Sequence, residues 1–140
     1  MRTILPLLAL TVVALAISTL RAADEPKATV ANRVFEMRTY YPHPGRSEAM
    51  HTRFRDHTCH LFKKHGMDLI GFWSPKDEKN KDNLIYILAF PSMDAAKASW
   101  KAFQNDPEWI AVRDASEKDG KIVAKVDSVY MNPTDYSAIK

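Results

Sequence analysis

Arg33-Val34-Phe35-Glu36-Met37-Arg38-Thr39-Tyr40-Tyr41 decides the fold. Along it Phe35, Met37 and Thr39 point one way while Val34, Glu36, Arg38 and Tyr40 point the other, a period of two that marks a half-buried β-strand. Pro42-His43-Pro44-Gly45 ends it. From Arg46 to His65 the period changes: Met50, Phe54, Leu61 and Phe62 fall on one stripe with Thr58, and charged residues such as Arg53, Arg55, Asp56, Lys63 and Lys64 take the other faces. This is an amphipathic helix of about five turns, with Gly66 where a C-terminal cap belongs.

Working outward, Asp68–Trp73 and Leu84–Phe90 are apolar enough for two strands joined by the polar loop 76–83. Ser92 caps a second helix that runs through Ala95, Ala98, Trp100 and Phe103 to about Asn105. Asp106-Pro107 restarts a helix, because proline at the first helical position gives up an N–H that has no partner there. Ile122–Met131 is the last strand, and a polar tail follows Asn132-Pro133-Thr134. The order β-α-β-β-α-β predicts an α+β, ferredoxin-like fold, a four-stranded antiparallel sheet with its helices on one face. The other face must then meet solvent, a ligand or a second subunit. Glu36, Arg38, Tyr40, Gly71 and Trp73 are assigned to that uncovered face.

The composition places one domain in the chain. Its 140 residues are 46% hydrophobic and 26% charged, the profile of an ordinary globular protein. Residues 1–23 have the layout of a secretory signal peptide, with Arg2 preceding a 14-residue apolar run from Ile4 to Ile17. That run suits a signal core and falls short of the ~20 residues of a membrane span, so no stable span is expected after cleavage. The mature protein is then secreted or periplasmic, with residues 24–32 as a linker and 33–140 as the domain. Without residues 1–23 the charge falls from +3 to +1, with 18 basic residues against 17 acidic. This excludes the basic footprint of a nucleic-acid binder. The single cysteine, Cys59, excludes an intramolecular disulfide and any multi-cysteine metal site.

Several ordered patterns resemble the NIPSNAP family: Phe35-Glu36-Met37-Arg38-Thr39-Tyr40, Pro44-Gly45, Phe54-Arg55-Asp56-His57-Thr58, His65-Gly66, Gly71-Phe72-Trp73, Tyr86-Ile87-Leu88-Ala89-Phe90, Asp106-Pro107-Glu108-Trp109 and Pro133-Thr134-Asp135-Tyr136-Ser137. The resemblance implies a dimeric α/β barrel, in which two ferredoxin-like sheets meet face to face. It implies no reaction, because the family offers no catalytic motif to transfer.

Candidate chemistry therefore rests on residue types. Arg38, Glu36 and Tyr40 would place a guanidinium, a carboxylate and a phenol together, a set that binds an anionic oxygen or orients a phenolic substrate. His57, beside the buried stripe, and Glu36 are the proton-transfer candidates, and Tyr40, Trp73 and Tyr86 the contacts that pack a ligand beside Arg38. The histidines at 43, 51, 57, 60 and 65 lack a metal-binding motif, so neither a metal nor another cofactor is expected. Cys59 reads as a small hydrophobe. Two readings lead, and a haem-binding variant is a third. One is a homodimer binding a small, partly apolar ligand, with cofactor-independent oxidation or isomerisation as the chemistry its residues support. The other is a non-enzymatic module that uses the open face only to dimerise.

Overall fold

A computed structural model describes residues 33–140, so the signal peptide and linker expected over 1–32 lie outside the described residues. The elements are β1 (Val34–Pro42), α1 (Ser47–Arg53), a π-helical turn (Phe54–Thr58), α2 (Cys59–Lys64), β2 (Asp68–Trp73), β3 (Leu84–Phe90), α3 (Met93–Gln104), α4 (Pro107–Ser116) and β4 (Val123–Met131). The strands form one antiparallel sheet in the order β2-β3-β1-β4, the ferredoxin-like topology that the sequence order predicts.

The expected first helix is present, but it is interrupted. Its stripe is buried as expected: Met50, Phe54, Thr58, Leu61 and Phe62 are each at most 4% exposed. The π turn inserts one widened turn in mid-helix, where Thr58 Oγ1 donates to the Arg53 carbonyl at 3.2 Å. Arg53 departs from its expected place on an outer face. It is 5% exposed, because it sits three residues after Met50 and so shares the buried stripe. At the far end Gly66 adopts φ +74, with Gly66 N–H donating to Lys63 O and Met67 N–H to Phe62 O. These two bonds make the Schellman cap that the glycine position forecast.

Ser92 Oγ caps α3 by accepting from Ala95 N–H, and Asp106 caps α4 by accepting from Glu108 N–H. On α3 the buried face is Ala96, Trp100 and Phe103.

The assignment of the sheet's faces is reversed. Glu36, Arg38 and Tyr40 lie opposite Leu88, Tyr86 and Leu84 of β3, all three of which belong to the core beneath the helices. The uncovered side instead carries Phe35, Met37, Ile85, Ile87 and Val129, with Trp73 49% and Val129 50% exposed. Gly71 and Trp73 do lie on the uncovered face as expected. The indole packs so closely on Gly71 that a Cβ there would sit 2.6 Å from it. Part of the C-terminal tail folds over this face, and Phe35, Ile70, Ile87, Met131, Pro133 and Ile139 help enclose a hollow of about 310 Å³.

Candidate functional site

The polar centre of the molecule lies between sheet and helices. Glu36 is 1% exposed and fully engaged. Its Oε2 accepts from Trp100 Nε1 at 2.5 Å, and its Oε1 accepts from Ser128 Oγ at 2.6 Å and from an Arg38 terminal nitrogen at 3.1 Å. Arg38 spreads over the Trp100 ring, 4.2 Å from its centroid, and lies 5.6 Å from that of Tyr40. Burial pulls the Arg38 guanidinium down, yet Tyr40, Tyr86, Glu36 and Tyr130 together outweigh it and leave its pKa raised. Arg38 is a permanent cation with donors still to place.

Two of those buried polar groups lack partners. Arg38 Nε and the Tyr86 hydroxyl make no hydrogen bond of normal geometry among the described residues, although the Tyr40 hydroxyl stands close enough to Tyr86 to affect its pKa, and such an arrangement costs stability unless something else supplies an acceptor. Burial pushes the Tyr86 phenol well above its ordinary pKa; Tyr40 adds to this and Arg38 opposes it. Tyr86 therefore keeps its proton near neutral pH and can serve as an O–H donor.

Tyr40 neighbours this pair and lines a cavity that neither Arg38 nor Tyr86 itself lines. Its ring is 5.4 Å from Tyr86 and 5.4 Å from Phe54, and it lines a cavity of about 170 Å³ with Phe54, Phe62, Phe103, Trp109 and Val126. Arg53, Arg113 and Glu117 complete the polar part of that wall. That volume is roughly five to six waters' worth of space, what a single small ring compound displaces, and it is smaller than the usual ligand pocket.

The structure thus brings Glu36, Arg38, Tyr40 and Tyr86 together and leaves His57 and Trp73 elsewhere. His57 is exposed on the π turn, where it lines a separate groove of about 650 Å³ between α1 and α4 with Thr52, Ala111 and Ala115. Trp73 is on the opposite face of the sheet. Cys59 is half-buried and its thiol is pushed up by that burial, with Lys63 opposing, which suits the small-hydrophobe reading. Sequence reasoning missed Arg53 and Trp100 as parts of the polar centre. The signal for Arg53 was its place on the stripe; nothing local marked Trp100 as the donor to Glu36, 64 residues away.

The sequence profile of the NIPSNAP family matches residues 35–138. The chain belongs to the NIPSNAP family. A NIPSNAP family protein of unknown function from Agrobacterium tumefaciens superposes with a TM-score of 0.68 at 21% identity, covering 79% of this chain and 96% of that one. An uncharacterised NIPSNAP-like domain protein from Burkholderia xenovorans gives a TM-score of 0.67 at 12% identity, over 76% and 90% of the two chains. A proposed antibiotic biosynthesis monooxygenase from Bacteroides thetaiotaomicron shares the fold at a TM-score of 0.52 and 10% identity, over 74% and 91%. At these identities the NIPSNAP domain and its neighbours have the fold in common, and a fold does not transmit a reaction. No curated protein matches the chain by sequence.

Proposed function

We propose that this NIPSNAP domain is an exported homodimer that binds a small, partly apolar ligand in the space between sheet and helices, with an anionic or phenolic oxygen at Arg38 and Tyr86. The observation that carries the reading is the pair of unpartnered buried donors, Arg38 Nε and the Tyr86 hydroxyl, beside the aromatic wall of Tyr40. An oxygen carrying negative charge satisfies both donors at once. Glu36 holds Arg38 in place, and its lone pairs are already committed to three donors. Stabilisation of an enolate or phenolate oxygen is the chemistry such a site would support, and oxidation of that bound anion would take molecular oxygen as its oxidant.

The dimer reading is supported by the apolar open face, since an exposed contiguous apolar surface on a small domain marks an interaction site. Export is supported by the composition of residues 1–23. Among the described residues no helix is long and apolar enough to cross a membrane.

The test is calorimetric titration of the purified domain with 4-hydroxybenzoate, whose oxygen groups and ring match the donors and the aromatic wall. Saturable binding that Arg38→Met weakens at least tenfold supports the site. Binding unaffected by Arg38→Met, or none, leaves the non-enzymatic dimerisation module as the function, which the apolar open face by itself would serve.

A further inference from the structure

The wall of the inner cavity contains an ion pair that the oxygen site does not use. Arg53 is 5% exposed, and a terminal nitrogen of its guanidinium donates to Glu117 Oε1 at 3.0 Å and to Ser116 Oγ at 3.3 Å. Its Nε has no partner among the described residues, and the guanidinium lies 5.3 Å from the centroid of the Trp109 ring, which lines the same cavity. A buried arginine with an unsatisfied donor beside an aromatic wall is built to receive a planar anion. Glu117 is positioned as an internal substitute for that anion. It stands at the C-terminal cap of α4, a helix with no buried residue of its own, and its side chain is 23% exposed. The carboxylate can therefore leave without uncovering a core. The other cation on this wall, Arg113, is turned to its exposed neighbour Asp114, with nitrogens 3.0 and 2.9 Å from the carboxylate.

We propose that Arg53 is a second anion-binding residue of the cavity, occupied by Glu117 in the empty protein, and that the ligand's own carboxylate displaces Glu117. This rests on the ligand-site reading and narrows it: the ligand carries a carboxylate at the end away from the oxygen held by Arg38. An aromatic hydroxy acid has that form. A carboxylate entering the cavity meets a guanidinium already desolvated and oriented, and the released Glu117 gains solvent at the rim.

The experiment compares 4-hydroxybenzoate with phenol, which lacks the carboxylate, in the wild type and in Glu117→Gln. The glutamine removes the competing charge while nearly preserving shape, so it is expected to tighten 4-hydroxybenzoate about tenfold, or ~1.4 kcal/mol, and to leave phenol unchanged. Glu108→Gln, on the exposed side of the same helix, changes neither. Equal affinities for 4-hydroxybenzoate in wild type and Glu117→Gln, with binding still dependent on Arg38, overturn this inference and leave the oxygen site standing. An equal gain for phenol also overturns it, because the variant would then act through a looser α4. Failure of both probes to bind either protein overturns the ligand-site reading, and this inference with it.

Discussion

The two faces of the sheet differ: the covered one holds a polar cluster inside an apolar core, and the open one sets exposed apolar groups beside Thr39, Lys125 and Asp127. Under the helices, β1 carries a buried carboxylate, a partly buried guanidinium and a partly buried phenol, beside the buried phenol of Tyr86 across the register. On the open side the same strands present Met37, Ile85, Ile87 and, from β4, Val129. Burying charge costs more than exposing methyl groups, so the buried cluster is the feature that needs a reason. The difference is what supports the proposed ligand site in the interior and the proposed partner surface outside.

The largest effect expected is from Glu36→Ala. It leaves Arg38, Trp100 Nε1 and Ser128 without their common acceptor, and should cost about 3 kcal/mol, the low end for breaking a buried pair because Arg38 keeps some solvent. Urea unfolding measures it, and a loss under 1 kcal/mol would mean that the interior is not organised around this carboxylate. Next is Val129→Glu on the open face. Charge there should convert the proposed dimer to monomer in analytical ultracentrifugation while stability of the fold changes by no more than about 0.5 kcal/mol. An unchanged dimer would place the interface elsewhere.

Tyr86→Phe sharpens the contrast with an opposite sign. Removing a hydroxyl that has no partner should stabilise the empty domain by about 1 kcal/mol while weakening phenol binding. Destabilisation would mean that the hydroxyl has a structural partner. The smallest effect concerns pH. Asp106 accepts from Lys64 Nζ at 2.8 Å and from His65 Nε2 at 2.6 Å, and first Lys64, then His65, hold its carboxyl well below the ordinary carboxylate range. A depressed folded pKa gives stability that is complete above the unfolded value of about 4 and is lost as pH falls toward the folded one. Asp106→Asn should flatten the acid limb of the thermal stability profile below about pH 4, with little effect on its slope near neutrality.

Much of this architecture is legible in the sequence, and the exceptions have physical causes. Asp106-Pro107, Ser92 and Gly66 each state a local geometry, and the structure places a cap at each. The stripe of Met50, Phe54, Thr58, Leu61 and Phe62 survives the π turn because it tells which residues are buried, without fixing the turn's width. Period-two alternation in β1 says only that two faces differ. Burial cost alone points the polar set outward, but it lies inward because Trp100 and Ser128, distant in the chain, supply the bonds that make Glu36 tolerable inside. Arg53 was misplaced for the same reason: its partners Ser116 and Glu117 lie more than 60 residues away.

The three tryptophans divide between the two faces, so one NMR experiment on their indole N–H signals tests the assignment directly. Trp100 binds Glu36, Trp109 lines the inner cavity, and Trp73 stands on the open face. Adding 4-hydroxybenzoate should move the Trp100 and Trp109 signals and leave Trp73 in place, while diluting the protein should move Trp73 alone. Movement of Trp73 by the ligand, with Trp100 and Trp109 unaffected, would contradict the account and put the binding site on the open face.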